Sequence, residues 1–406
     1  MSSYTPSPKI LEKYAHVLVN FALRDGKGIK KGDVVRITCY EEAKPLYRAL
    51  RLAVIKAGGH VLGNYLPSAD GTLEKDYFQH ASDEQLDFFP KKYMRGLVDE
   101  IDHQIVIISE TNKQAMKGVD PQKIMRTRAA FKPYMDWRRI KENQGKFTWT
   151  LALYGTEAMA AETGMTLKEY WQEIINGCFL NTKDPVLKWR EVFASLAHYQ
   201  KKLNTLAKKI AWYHIEGPDA DLWIQAGDKR AWMGGSGRNI PSYELFTSPD
   251  WRGTHGWIRF NQPLYQYGVI IEGVELHFKD GVVTKATARK NEKTLLSMIA
   301  SKNADKIGEF SMTDKRFSRI TRFMAETLYD ENVGGEHGNT HIALGSAYHD
   351  CYAGNPAKVS KKEWEKLGYN DSPIHTDIVS TTPRTITAHF HNGKTQVIYK
   401  DGMYQV

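Results

Sequence analysis

The run Ile105-Val106-Ile107-Ile108 offers no polar residue to face water, so a strand built from it must be covered on both sides. Strands of that kind belong to parallel sheets flanked by helices. The residues around it have the matching rhythm. Lys9 to Arg24 spaces Leu11, Tyr14, Ala15, Leu18, Val19, Phe21 and Ala22 along one face of a helix. After Gly28 and the Lys31-Gly32-Asp33 turn, Val34 to Cys39 predicts a strand. Glu41 to Ala57 predicts a helix stopped by Gly58-Gly59, and His60 to Leu66 a second strand. This β-α-β order predicts a parallel, doubly wound sheet. Leu187 to Ile210, with Trp189, Phe193, Leu196, Leu203, Leu206 and Ile210, predicts a long helix that ends this region.

From about residue 215 the texture changes. Short strands are predicted at Leu222 to Gln225, Trp257 to Phe260, Val274 to Phe278 and Val282 to Ala288, with Lys279-Asp280-Gly281 as a hairpin turn. Apolar and polar residues alternate, which predicts antiparallel pairing in a mixed α+β region. The expected organisation is an α/β N-terminal domain over 1–214 with a mostly parallel sheet. An α+β C-terminal domain with antiparallel strands follows over 215–406.

Composition narrows the classes. With 406 residues, 41% hydrophobic and 25% charged, the chain can bury a large core and is not a disordered polymer. Its purely apolar runs are far shorter than the roughly 18 residues a spanning helix needs, so no membrane partner is expected. Met1 to Lys9 lacks an apolar core and is expected not to be a signal peptide. Three dispersed cysteines, Cys39, Cys178 and Cys351, form no CxxC pair, which fits a reducing compartment. The formal charge of +9 invites a nucleic-acid reading, but the basic residues are spread along the chain without a recognition motif. A solvated basic surface is the simpler account, and no nucleic-acid partner is expected.

The chemistry-bearing residues concentrate in the second half. In His375-Thr376-Asp377, period two puts an imidazole and a carboxylate on one strand face, a donor pair suited to a divalent metal. A solvated strand could carry the same pair. His341 sits among small and apolar residues, so its imidazole is expected to be buried, as ligand or as core histidine. Tyr348, seven residues on, could offer a phenol or simply pack. Glu309 and Glu244 are acids between apolar neighbours, and each needs a cation or a hydrogen-bond partner if buried. Glu331 adds a further carboxylate. Three or more carboxylates, two imidazoles and a phenol in one domain match two metal ions better than one. A pair of ions activates a water and polarises a carbonyl, which is hydrolytic chemistry without a protein nucleophile. No GxSxG, HExxH or GxxxxGK[ST] motif competes. Gly234-Gly235-Ser236-Gly237 lacks the Lys and Ser/Thr of a phosphate loop and reads better as a backbone turn beside the site.

Taken in order, Asn239-Ile240-Pro241-x-x-Glu244, Gly308-Glu309, Asp330-Glu331-Asn332, His341-Ile342-Ala343-Leu344-Gly345-x-x-Tyr348 and His375-x-Asp377 resemble the motif series of the aminopeptidase T and aminopeptidase S family, the thermophilic-type dinuclear metalloaminopeptidases. The resemblance runs over nearly the whole chain and includes Lys31–Asp33 and Ala57–His60. It implies metal ligands Glu244, Glu309, His341, His375 and Asp377, with Tyr348 as ligand or close partner and Glu309 between the ions. It implies catalytic roles for Glu309, Glu331 and Tyr348. The implied activity is removal of N-terminal residues from peptides with a free N-terminus, by metal-activated water at two divalent ions (zinc, cobalt or manganese). A cytoplasmic homodimer is implied as well. One departure stands out: Gly334-Gly335-Glu336-His337-Gly338 lengthens the path from Asp330-Glu331-Asn332 to His341. Glu331 and Glu336 therefore compete for one role, and His337 becomes a possible extra polar group.

Overall fold

In the computed structural model, which describes residues 4–67, 70–266 and 268–406, the Ile105 run lies in strand His103–Ile108, central in a five-stranded sheet. The order across that sheet is His60–Leu66, Val34–Tyr40, His103–Ile108, Thr148–Leu153 and Asn239–Ile240, and every pair is parallel. Because the strand order turns back at Val34–Tyr40, right-handed crossovers place successive helices on opposite faces. Helix Lys44–Lys56 is one such crossover; it buries Leu46, Leu50 and Val54, one residue per turn. It stops where Gly58 takes a positive φ of 81° and Gly59 N–H reaches the Val54 carbonyl, a conformation that favours glycine. The expected first helix is α-helical only over Pro8–Val17 and continues as a π turn, Leu18–Ala22. Of the N-terminal segment, Met1 to Ser3 lie outside the described residues.

By contacts the chain divides into two units, one running up to Val186 with Ser236–Ile240, the other Leu187–Gly235 with Pro241–Val406. The sequence expectation puts the division after residue 214. The long helix, Pro185–Ala207, groups with the second unit because its side chains are spent there. Gln200 and Asn204 side-chain amides each donate to the Trp232 carbonyl at 3.0 Å, and Asn204 Oδ1 accepts the Trp232 N–H. Trp189 stacks on Tyr243 with ring centroids 5.2 Å apart, a contact type worth about 0.5–1.5 kcal/mol beyond buried area. Asn239–Ile240 returns to the first unit because its backbone extends the parallel sheet beside Leu151 and Ala152.

The second unit holds antiparallel sheets. The larger one has eight strands, among them Ile210–Gly217, Ala220–Gln225, Asp250–Arg259, Glu275–Lys279 and Val282–Thr287. The Asp280-Gly281 link between the last two has φ of 52° and 82°, the paired positive values of a type I′ turn. The smaller sheet has four strands in the order His375–Ser380, Asn339–Gly345, Ile307–Thr313, Glu244–Thr247. Its two central strands are buried at every residue. One face packs as apolar core, where Phe310 lies 5.6 Å from both Tyr213 and Trp232 by ring centroids. The opposite face holds Glu309, Ser311, His341 and Asn339, all buried and polar. Burying that much polarity is costly unless each group is partnered. Among the described residues no helix is long and apolar enough to cross a membrane.

Candidate metal centre

Register on the four-stranded sheet assembles the polar face. Ala343 pairs with Glu309 on one side and Asp377 on the other. Side chains directly opposite across strands share a face, so two carboxylates flank a residue with only a methyl group. His341, two residues before Ala343, lies between Ser311 and Val379, and His375 lies opposite Gly345. Glu244 enters from the edge strand opposite Thr313.

The resulting distances are short. His341 Nε2 is 3.2 Å from Glu244 Oε2 and 3.2 Å from Glu309 Oε1. His375 Nε2 is 3.3 Å from Asp377 Oδ1 and 3.8 Å from Glu309 Oε2. Two groups of potential ligand atoms result, Glu244–Glu309–His341 and Glu309–His375–Asp377, each with its atoms within 4.8 Å of one another. Glu309 is the shared member and turns a different oxygen to each histidine.

The donor set fits a metal. Glu244, Glu309, Glu331 and Asp377 are buried, and only two imidazoles stand among them, so even full protonation of both leaves a net negative charge. Unbalanced buried charge is unfavourable by several kcal/mol without a cation or protons. His341 Nδ1 is buried and has no hydrogen-bond partner, and unpaired buried polar atoms are rare.

Proton affinities show the same strain in the metal-free cluster. Burial pushes Glu309 up to about 7 against the opposing pull of His341 and His375, and the charges of Glu244 and Asp377 add to the rise. Burial, then Glu244 and Asp377, drive Glu331 well above the carboxylate range. Burial disfavours charge on both imidazoles, yet the carboxylates outweigh it. His341 rises well above its ordinary value through Glu244 and Glu309, and His375 reaches about 9 through Asp377. Burial would raise Asp377, but His375, His341 and a backbone N–H together outweigh it and the group goes down. A bound cation would favour the deprotonated form of every one of these groups.

Supporting contacts hold the donors in place. The Ser311 hydroxyl donates to Glu244 Oε2 at 2.8 Å. His375 Nδ1 donates to the Ser346 carbonyl at 2.7 Å; a carbonyl only accepts, so Nε2 is the nitrogen with a free lone pair. Asn332 accepts the Tyr243 N–H at 2.7 Å and donates to Glu331 Oε1 at 3.3 Å. Gly234 is required beside the site, since a Cβ there would lie 2.2 Å from the Glu244 carbonyl.

Each residue singled out in the sequence can now be placed. Glu244, Glu309, His341, His375 and Asp377 converge. Tyr348 stands over them, its ring 4.7 Å from His375 and 5.8 Å from Phe246. It is 42% exposed, yet desolvation and the charges of Glu309 and Asp377 hold its phenol well above the ordinary range. Glu331 is buried in the same field, whereas Glu336 is exposed and His337 is half-buried. His337 meets the Tyr399 hydroxyl only through its carbonyl. Sequence reasoning gave no role to Ser311, Ala343, Asn332 or the Ser346 carbonyl, although Asn332 and Ala343 lie within the motifs. Ser311 and Ala343 were within reach, because each lies two residues from a singled-out ligand and so shares its face.

A profile of the thermophilic metalloprotease (M29) family matches residues 8–404. Aminopeptidase PepS of Streptococcus thermophilus is 27% identical over 420 residues, covering 97% of each chain. Aminopeptidase 2 of Geobacillus stearothermophilus is 27% identical over 416 residues, again covering 97% of each. The solved structure of wild-type AmpT from Thermus thermophilus matches with a TM-score of 0.82 at 21% identity, covering 98% of this chain and 99% of that one. At that identity the likeness shows a shared fold.

Proposed function

The chain belongs to the thermophilic metalloprotease (M29) family, and from that premise we propose that it is an aminopeptidase that removes N-terminal residues from peptides at a dinuclear site. One observation supports two ions over one: Glu309 belongs to both donor groups and presents Oε1 to His341 and Oε2 to His375. Glu244 and His341 would hold one ion, and His375 and Asp377 the other, with Glu309 between them. Zinc, cobalt and manganese all accept such carboxylate and imidazole donors. When bound, the ions would polarise the scissile carbonyl and ease deprotonation of water.

The chain's own residues then have separable tasks. Ser311 holds Glu244 by its hydroxyl, and the Ser346 carbonyl holds the His375 ring. Glu331, buried against the same carboxylates and deprotonated once a cation is held, would take and return a proton at its carboxyl oxygen, a role worth about 10²- to 10⁴-fold in rate. Exposed Glu336 is far less suited to it. The Tyr348 hydroxyl, kept protonated by its surroundings, would donate to the oxygen that gains charge on the attacked carbonyl. Substrates are peptides with a free N-terminus, and the working form is a cytoplasmic homodimer; these last two readings follow the family resemblance.

Hydrolysis of leucine p-nitroanilide before and after chelation, with zinc, cobalt or manganese returned, tests this reading. Activity lost to chelator and restored by an ion is expected. Absence of activity with every metal, on folded protein, would exclude the aminopeptidase reading and leave a metallohydrolase acting on another amide or ester, or a non-catalytic binding protein.

A further inference from the structure

We propose that Met233, Phe246 and Tyr348 form an apolar subsite that receives the side chain of the substrate's N-terminal residue, so that the enzyme favours leucine-, methionine- and phenylalanine-sized residues. The proposal rests on the aminopeptidase reading and extends it to side-chain preference.

Strand Glu244–Thr247 sets the geometry. Side chains alternate along a strand, so Phe246 leaves from the same face as Glu244, towards the donor cluster. Across the sheet it sits opposite Ser311, whose hydroxyl contacts Glu244. Glu244, Leu245 and Thr247 are buried, while Phe246 is half-buried. Met233 bridges Phe246 in antiparallel fashion through both backbone hydrogen bonds, at 2.8 and 2.9 Å. Directly paired residues project to the same side, and Met233 is half-buried as well. Tyr348 meets Phe246 edge-on at 5.8 Å between centroids and lies 4.7 Å from His375. Three apolar side chains thus stand partly open next to carboxylates that would hold the metals.

Such an arrangement has a chemical reading. A charged residue in these positions would be drawn into the cluster, whereas thioether and aromatic surfaces leave the carboxylates to the metals. They also offer a face that only an apolar group can profitably cover. Methionine and aromatic rings adapt to aliphatic and aromatic side chains of different shape. The scissile carbonyl of an N-terminal residue is two bonds from its Cβ, so a carbonyl at the metals puts that side chain within reach of a wall flanking His375 and Glu244. Apolar pockets discriminate by about 10- to 200-fold per methylene-sized difference.

The test compares leucyl, methionyl, alanyl, glycyl, lysyl and glutamyl p-nitroanilides on the full chain, with metal content measured in each preparation. Wild type should prefer leucyl over glycyl by tenfold or more in kcat/KM. Phe246→Ala should reduce that ratio at least tenfold, chiefly through KM, at unchanged metal content. Phe246→Leu should retain it, and Phe246→Asp should raise lysyl relative to leucyl hydrolysis. Calorimetric binding of free L-leucine and glycine gives a readout independent of turnover, in which L-leucine should bind more tightly to wild type and lose that advantage in Phe246→Ala. A wild-type leucyl-to-glycyl ratio within twofold overturns the proposal, as does an equal loss for both substrates in Phe246→Ala. Should no aminoacyl substrate be hydrolysed, the aminopeptidase reading falls and the calorimetric comparison alone decides the subsite. Equal binding of L-leucine and glycine would then overturn it, and preference for L-leucine lost in Phe246→Ala would sustain it.

Discussion

His375 Nδ1 lies 2.7 Å from the Ser346 carbonyl oxygen, and that carbonyl is itself held against Gly308. A Cβ on Gly308 would lie 2.4 Å from the Ser346 oxygen and 2.4 Å from the Gly345 oxygen, closer than real Cβ atoms approach. The backbone at the start of the Glu309 strand is thus part of the device that aims His375. Gly308→Ala should push the carbonyl away and tilt the ring without touching a ligand. Disturbing such a supporting contact typically lowers metal affinity about 10- to 100-fold. Calorimetric metal titration should show one of two binding steps weakened in Gly308→Ala and the other nearly unchanged. Two intact steps would show that the Ser346 contact does not set the ring.

The lengthened segment before His341 leaves two glutamates as candidates for proton transfer, and their surroundings separate them. Glu331 is 7% exposed, touches Asn332 and is pushed up by burial and by Glu244 and Asp377. Glu336 is exposed, and the contact beside it uses its carbonyl, which accepts from Lys315. Glu331→Gln should therefore lower kcat by about 10²- to 10⁴-fold with near-normal metal content, while Glu336→Gln stays within about twofold of wild type. Steady-state kinetics with metal analysis on both variants decides this, and the reverse pattern would move the role to Glu336.

Much of this site was legible because its motifs obey strand periodicity. His375 and Asp377 share a face by period two. The apolar run at Ile105 likewise announced a strand covered on both sides. What could not be read was register between segments far apart in sequence. Nothing local says that Glu309, Ala343 and Asp377 fall in one row. Nor does anything local say that a backbone carbonyl at Ser346 fixes a ring at His375. The strands at Ile307 and Asn339 carry no alternation to read, since they are buried on both faces. Their polar side is covered because it forms the site. The helix Pro185–Ala207 read correctly as a helix, but its grouping depended on amide contacts to Trp232, which spacing cannot reveal.

Metal uptake should release protons, and the sign follows from the cluster. Without metal, His375 holds its proton up to about 9 and Glu309 up to about 7. Both must be deprotonated to act as ligands. Near neutral pH binding therefore expels protons, and apparent affinity should rise with pH through the window from about 7 to 9. Titrating zinc or manganese calorimetrically in buffers of different ionisation enthalpy gives the proton count. About one or more protons released per protein near pH 7, decreasing towards pH 9, is the expected result. A release near zero at pH 7 would mean that the ligands are already free of protons.

A second histidine, in the parallel-sheet unit, should make stability depend on pH without involving the metal centre. His103 is buried, with Nε2 2.8 Å from Asp33 Oδ2 and Nδ1 2.8 Å from Thr148 Oγ1. Thr148 Oγ1 also accepts the Arg24 N–H and Asp33 Oδ2 the Lys30 N–H, so the chain of bonds is complete with a neutral imidazole that donates from Nε2. Burial lowers the His103 pKa despite Asp33, and Asp33 is itself lowered because the Lys30 and His103 hydrogen bonds outweigh its burial. Both groups have folded-state values below their unfolded ones. The His103 contribution is present above about pH 6.5 and is lost as pH falls through its folded-state pKa; the Asp33 contribution follows at lower pH. Chemical denaturation of chelated protein between pH 7.5 and 5 should show stability falling with acidification, at a slope of up to about 1.4 kcal/mol per pH unit for one proton. His103→Asn should flatten that slope, even though the variant starts less stable at pH 7.5. An unchanged slope would assign the acid sensitivity to other groups.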